Sequence, residues 1–149
     1  MPSIGRHLTI DMYGCNNEIL NDFEFIKTAM LAAITGTNLT VQDLIGHKTE
    51  PQGLTAIAML GQSHMSIHTY PELNYAAVDI FTYGDYSHAD KVLTILKSYL
   101  KPEKIRTTNI LRGDFGRQKD MKPRIRVSIA PLRRVRNTSA RVWRFFRNK

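Results

Sequence analysis

The sequence predicts an α+β protein: a two-layer α/β sandwich with a largely antiparallel sheet and two helices on one face. Three observations point to it. Short segments with two-residue apolar alternation are numerous, whereas only two segments carry helical spacing. Their order is strand, helix, several strands, helix, strands, not the strict alternation of a parallel α/β fold. Two helices cannot cover both faces of so wide a sheet, so the other face is expected to be free for a substrate or a second subunit. The 149 residues suffice for one domain with its own core.

Residues 7–12 alternate, with Leu8, Ile10 and Met12 on one face, and predict a strand. Tyr13-Gly14-Cys15-Asn16-Asn17 predicts a turn. Asn21 followed by Glu24 reads as a capping box. Phe23, Ile26, Met30 and Ala33 then share a helical stripe that Gly36 terminates. Residues 39–45 are a short strand candidate, and Pro51-Gln52-Gly53 is a loop. Leu54–Leu60, Ser63–Tyr70 and Tyr75–Tyr83 read as three more strands, the second ended by Pro71 and the third by Gly84-Asp85. In the third, Ala77, Asp79 and Phe81 point away from Ala76, Val78 and Ile80. Ser87 with Asp90 resembles a second capping box, and Ala89, Val92, Leu93, Leu96 and Leu100 form the second helical stripe, stopped by Pro102. Residues 105–111 and 125–129 are the last strand candidates, separated by a polar loop.

Composition narrows the function classes. Apolar residues make up 42% of the chain and charged residues 23%, ordinary for a globular protein. No apolar run approaches the roughly 20 residues of a membrane span. The residues before His7 lack the apolar core of a signal peptide, so the expected compartment is the cytoplasm. Cys15, the single cysteine, can form neither an intramolecular disulfide nor a zinc site alone, and no metal is expected. The net charge of +8 is uneven: residues 133–149 carry seven Lys or Arg and no acid. The organisation expected is a domain over 1–130 and a basic C-terminal tail over 131–149. In that tail Arg residues are interleaved with Val142, Trp143, Phe145 and Phe146, a composition that suits nucleic acid or an anionic membrane as well as a frayed end.

Chemistry concentrates in Gly61-Gln62-Ser63-His64-Met65-Ser66-Ile67-His68-Thr69-Tyr70-Pro71-Glu72. Imidazoles near hydroxyls are what nucleophilic chemistry needs, because a neutral hydroxyl is a poor nucleophile without an adjacent base. Residue types alone leave open a Ser/His-rich strand with no chemical role. The segment, with Tyr75 to Thr82 after it, is similar to the Glu-Ser-His-x-Ser-Ile-His-Thr-Trp-Pro-Glu region of the prokaryotic-type S-adenosylmethionine decarboxylase proenzymes. Gly5-Arg6-His7-Leu8, Tyr13-Gly14-Cys15, Leu20-Asn21-Asp22, the His47-x-x-x-Pro51-x-Gly53 loop and Arg112-Gly113 also resemble that family, so the likeness covers residues 5 to about 115.

The resemblance implies a self-cleaving, pyruvoyl-dependent decarboxylase. The Ser63 hydroxyl attacks the Gln62 carbonyl, the peptide bond becomes an ester, and β-elimination splits the chain into 1–62 and 63–149. The dehydroalanine left at position 63 hydrolyses to a pyruvoyl group with loss of ammonia. That carbonyl condenses with a substrate amine as a Schiff base and acts as an electron sink when carbon dioxide leaves. His68 corresponds to the proton acceptor of processing, and neutral imidazole, titrating near about 6.5, suits that role. Thr55, Tyr70 and Glu72 match substrate-site positions. The product would serve spermidine synthesis, and the family implies a homodimer with sites near the subunit interface.

Ser63 and His68 are five residues apart, so a flat strand points them to opposite faces. A bend or bulge near Met65-Ser66 is expected if they are to meet. Four departures from the family pattern matter. Gln62 stands for Glu at the cleaved bond, where the backbone carbonyl reacts; Tyr70 stands for Trp. Thr49 stands for a Phe whose stacking on adenine would contribute about 1–3 kcal/mol. Tyr83 stands for the Cys implied as proton donor in decarboxylation, and a phenol near pKa ~10 is the weaker acid. These changes raise two alternatives: a pyruvoyl decarboxylase of ornithine or arginine, or a non-catalytic homologue that works through its basic tail.

Overall fold

The computed structural model describes residues 3–84 and 87–113, with Ser87 described in its backbone only. The expected strand at 125–129, the domain limit at 130 and the basic tail lie outside the described residues. The elements are β1 (Gly5–Tyr13), α1 (Asn17–Leu20), α2 (Phe23–Thr35), β2 (Asp43–Lys48), β3 (Leu54–Leu60), β4 (Ser63–Tyr70), β5 (Tyr75–Tyr83), α3 (Ser87–Leu100) and β6 (Lys104–Arg112). A single 3-10 turn, Pro71–Leu73, joins β4 to β5. The six strands form one sheet in the order β2-β3-β4-β5-β1-β6, and every neighbouring pair is antiparallel.

Alternation sorts each strand into two faces. Leu8, Ile10 and Met12 of β1, Leu54, Ala56 and Ala58 of β3, Met65 and Ile67 of β4, and Ala76, Val78 and Ile80 of β5 are buried. They share one core with Ile26, Met30 and Ala33 of α2 and Val92, Leu96 and Leu100 of α3. Each fully buried Leu, Ile or Met contributes about 1.5–3 kcal/mol. The two long helices thus lie on one face, as the sequence predicts, and the other face is open. Its exposed apolar side chains include Ile45, Ile57 and Met59. Among the described residues, no helix is long and apolar enough to cross a membrane.

Three local expectations are corrected. Asp22, not Asn21, caps α2: its Oδ1 accepts from the Phe25 N–H at 3.0 Å. The short helix α1 claims Asn21 as its own C-cap in helical conformation, so Asp22 is the first residue with the extended backbone an N-cap requires. The second strand begins at Asp43 rather than at residue 39, because its partner β3 ends at Leu60 and the ladder opens with the Gln42 N–H donating to the Met59 carbonyl. Leu39 and Val41 instead pack against the core from the preceding loop. The strand β4 carries no bulge: its register runs unbroken from Leu54–Thr69 to Leu60–Ser63 on one side and from His64–Phe81 to Tyr70–Tyr75 on the other. The expected capping box at Ser87 falls partly on residues outside the description, and Asp90 takes another partner, the Arg6 guanidinium, at 2.7 and 3.0 Å.

Candidate active site

The expected cleavage position, Gln62–Ser63, sits at the tip of a tight hairpin. Leu60 pairs with Ser63, leaving Gly61 and Gln62 as a two-residue loop. Gly61 takes φ +73°, the glycine-first form that matches strand twist. Ser63 opens β4 on the inward-facing set and is buried. Its Oγ accepts the Tyr83 backbone N–H at 3.1 Å. The Tyr83 ring itself is exposed. The structure therefore brings Gln62, Ser63 and Tyr83 together. A cleft of about 530 Å³ opens at this point on the free sheet face, walled by Met59, Gln62, Ser63, His64, Phe81 and Arg112.

His68 is elsewhere. It projects from the free face of β4, where its Nδ1 lies 2.9 Å from the Thr55 hydroxyl on the adjacent strand. That contact orients the ring and leaves Nε2 free of Thr55. Five residues of strand separate His68 from Ser63, about 17 Å at the usual rise. With no bulge between them, the two do not meet within one chain. Thr55 also lines a mostly apolar pocket of about 240 Å³ with Ile45, His47, Ile57 and Met59.

Tyr70 and Glu72 lie at the His68 end. Glu72 is exposed on the 3-10 turn. Tyr70 stacks on Tyr75, centroids 5.6 Å apart and planes 23° apart, and Tyr75 packs on Tyr13 at 5.3 Å. The Tyr75 hydroxyl donates to Asp11 Oδ1 at 2.6 Å. Burial and that carboxylate both push its phenol far above the ordinary value. Thr49 is held in its own loop, its hydroxyl donating to the Gln52 carbonyl at 2.9 Å. The Asn21 side chain secures that loop by accepting the Gly53 N–H at 2.9 Å.

Sequence reasoning missed the residues that surround Ser63 on the cleft side. His64 stacks on Phe81 at 5.6 Å and 20°, and His7 meets both rings edge-on. His7 Nε2 lies 3.4 Å from Asp79 Oδ1, so Asp79 faces this cluster rather than standing alone. The two-residue loop at 61–62 fixes only the register that pairs His64 with Met59 and Thr55 with His68; His7 and Phe81 come from β1 and β5, whose places beside each other and beside β4 the sequence does not give. Cys15 is a buried free thiol, and burial pushes its pKa up to about 11. Among the described residues no group of three or more His, Cys, Asp or Glu converges as a metal site would require.

The two-layer antiparallel sandwich has counterparts among solved structures. The adenosylmethionine decarboxylase from Aquifex aeolicus superposes with a TM-score of 0.72 at 31% identity, over 76% of this chain and 93% of that one. The Trypanosoma brucei AdoMetDC-delta26 monomer shares the fold at a TM-score of 0.50 and 19% identity, over 68% of this chain and 44% of that one. The S-adenosylmethionine decarboxylase family model matches residues 6–113. The S-adenosylmethionine decarboxylase proenzyme of Caldanaerobacter subterraneus is 39% identical over 77% of this chain and 93% of its own length. That of Methanococcus maripaludis is 39% identical over 76% of this chain and 93% of its own. The chain belongs to the S-adenosylmethionine decarboxylase family.

Proposed function

We propose that the chain is a self-cleaving proenzyme that decarboxylates S-adenosylmethionine and works as a homodimer whose sites each draw on both copies. Family membership carries the activity. The single observation behind the two-chain site is the separation of Ser63 from His68 on an unbulged strand.

In cleavage, the Ser63 Oγ adds to the Gln62 carbonyl carbon, and its proton must pass to a base within hydrogen-bond reach, roughly 3 Å. His68 of the same chain is too far. A second copy laid across the open sheet faces supplies the partner's His68, its ring held by the neighbouring Thr55. Ile45, Ile57 and Met59, 66%, 46% and 52% exposed on that face, supply apolar surface for such a contact.

The pyruvoyl group formed from Ser63 supplies an electrophilic carbonyl that accepts electron density as carbon dioxide departs. The residues present fit it: the Tyr83 N–H donates to the Ser63 Oγ, and although that oxygen leaves in the Gln62 carboxylate, the donor stays beside position 63 to meet a carbonyl oxygen. The Tyr83 phenol, next to that N–H, is the group to return a proton to the substrate carbon. Glu72 offers an exposed carboxylate to the ribose hydroxyls or the sulfonium. The cytoplasm is the compartment of this reading, in keeping with a lone cysteine that stays a free thiol.

Intact mass spectrometry of purified wild type tests the reading first. It should show two chains, 1–62 and 63–149, the second with a ketone terminus. Labelled S-adenosylmethionine should then release carbon dioxide, with ornithine and arginine as the comparison substrates. An uncut chain with its seryl hydroxyl intact defeats the proposal. Complementation tests the shared site. His68→Ala alone should stay uncut and should be cut when co-expressed with Ser63→Ala, whose own His68 is intact. Rapid cleavage of His68→Ala by itself would remove His68 from the mechanism.

A further inference from the structure

Among the described residues one buried side-chain hydroxyl lacks a partner. Thr37, Ser63, Thr69 and Thr82 are the buried polar side chains there. Thr37 donates to the Ile34 carbonyl at 2.6 Å, and Thr69 to the Leu20 carbonyl at 2.7 Å. Ser63 accepts the Tyr83 N–H. Thr82, 0% exposed on β5, has an Oγ1 with no hydrogen-bond partner. An unpaired buried hydroxyl is destabilising, and a valine of the same shape would avoid the penalty. This hydroxyl stands beside the residue on which the proposed chemistry turns.

The register places it there. The ladder of β4 and β5 pairs His64 with Phe81, so Ser63 and Thr82 face each other one step further on. Both belong to the inward, buried sets of their strands. The Tyr83 N–H points toward β4, where it meets Ser63 Oγ. Backbone N–H groups alternate in direction along a strand, so that of Thr82 points the other way, toward β1. Ser63 and Thr82 are therefore a non-hydrogen-bonded pair, the kind that brings side chains closest. Cβ atoms in such pairs stand about 4.5–5.5 Å apart, within which facing Thr and Ser hydroxyls can join.

We propose that the Thr82 hydroxyl is a second donor to Ser63 Oγ, engaged when that oxygen becomes the leaving group of self-cleavage. This rests on the proposed self-cleaving reading. In the ester, Oγ joins Ser63 Cβ to the Gln62 acyl carbon. Elimination passes the Ser63 Cα proton to a base, and the electrons of that bond form the Cα–Cβ double bond. The Cβ–Oγ bond breaks, and its electron pair stays on Oγ, now part of the Gln62 carboxylate. Negative charge thus grows on the atom that the Tyr83 N–H already meets and that Thr82 faces. Donors set in place within a buried site stabilise such charge without reorganisation. The Tyr83 N–H is backbone, fixed by the register, so Thr82 is the donor that a substitution can remove.

The test follows newly made full-length chain, wild type, Thr82→Val and Thr82→Ser, in a fixed excess of hydroxylamine. Hydroxylamine attacks the ester carbonyl, leaving 1–62 as a hydroxamate and 63–149 with an N-terminal serine. Chains that eliminate first give 63–149 with a ketone, read as its oxime. Intact mass spectrometry gives the ratio of serine-ended to ketone-ended 63–149. Thr82→Val should raise that ratio about tenfold or more and slow ketone formation to match, whereas Thr82→Ser, which keeps the hydroxyl, should stay within about threefold of wild type. An unchanged ratio in Thr82→Val would overturn the proposal, even if splitting slowed, because the loss would then precede the ester. Thermal melting in an uncut Ser63→Ala background separates a structural role. There Thr82→Val should melt no lower than its parent, since a methyl replaces an unpaired hydroxyl; a lower Tm would make Thr82 structural and overturn the proposal. A wild type that stays an uncut amide would instead overturn the self-cleaving reading beneath it.

Discussion

At Thr55 a hydroxyl meets His68 Nδ1 at 2.9 Å, and the direction in which that imidazole presents its other nitrogen depends on this contact. Thr55→Val removes it while keeping the branched shape, and should slow cleavage roughly tenfold; Thr55→Ser should restore it. A time course of chain splitting on denaturing gels after expression reads both. Tyr83 contributes two separable groups. Its backbone N–H reaches Ser63 Oγ whatever the side chain, so Tyr83→Phe should still split into 1–62 and 63–149. Losing the phenolic proton should nevertheless reduce carbon dioxide release about 10²-fold or more, the usual scale for a general acid. Wild-type turnover in Tyr83→Phe would mean the proton comes from another group.

At the scale of elements, the hairpin at 61–62 and the Arg6–Asp90 tie are the features most open to measurement. A Cβ at Gly61 would meet only Gln42 Nε2, at 4.0 Å, so Gly61→Ala bears the cost of a positive φ and little else. In an uncut Ser63→Ala background that cost should be about 1 kcal/mol in urea unfolding. Asp90 anchors α3 to β1 through Arg6, whose hydrogen bonds hold its carboxyl below the usual carboxylate range. The stabilisation is therefore complete above the unfolded value, near pH ~4, and is lost as pH falls through the lower folded value. With the Asp90 side chain 61% exposed, Asp90→Asn should cost no more than about 0.5–1 kcal/mol at pH 7 and progressively less in acid, as urea midpoints at several pH values would show. These elements also mark where sequence is legible. The strands β3, β4 and β5 could be read to their ends because each alternates and is bounded by Gly or Pro. The cap at Asp22 was misassigned because the one-turn helix α1 is too short to leave a periodic signal, and it takes Asn21. The strand β2 was misplaced because Leu39 and Val41 are apolar for packing from a loop rather than for pairing. Parity along β4 told in advance that Ser63 and His68 diverge. The stacked pairs His64–Phe81 and Tyr70–Tyr75 needed the strand order, which alternation within single strands does not contain.

The molecule as a whole is built so that its own peptide bond can be broken without loss of shape. Both strands of the cut hairpin have outer neighbours: β3 pairs with β2, and β4 with β5. Each new end stays in the sheet, and 1–62 should co-purify with 63–149 without denaturant. Something different follows once the fold is lost. Before scission, each copy regains its sheet as a single polypeptide at a rate independent of dilution, and only the later pairing of copies depends on concentration. Afterwards β1, α2 and β3 belong to one molecule and β4, β5 and α3 to another, so recovery from urea becomes a second-order encounter that fades as the sample is diluted. Comparing recovered ellipticity across a hundredfold range of concentration, for wild type and for Ser63→Ala, would expose this. Maturation would then confer reactivity and, in the same step, remove the means of unassisted repair.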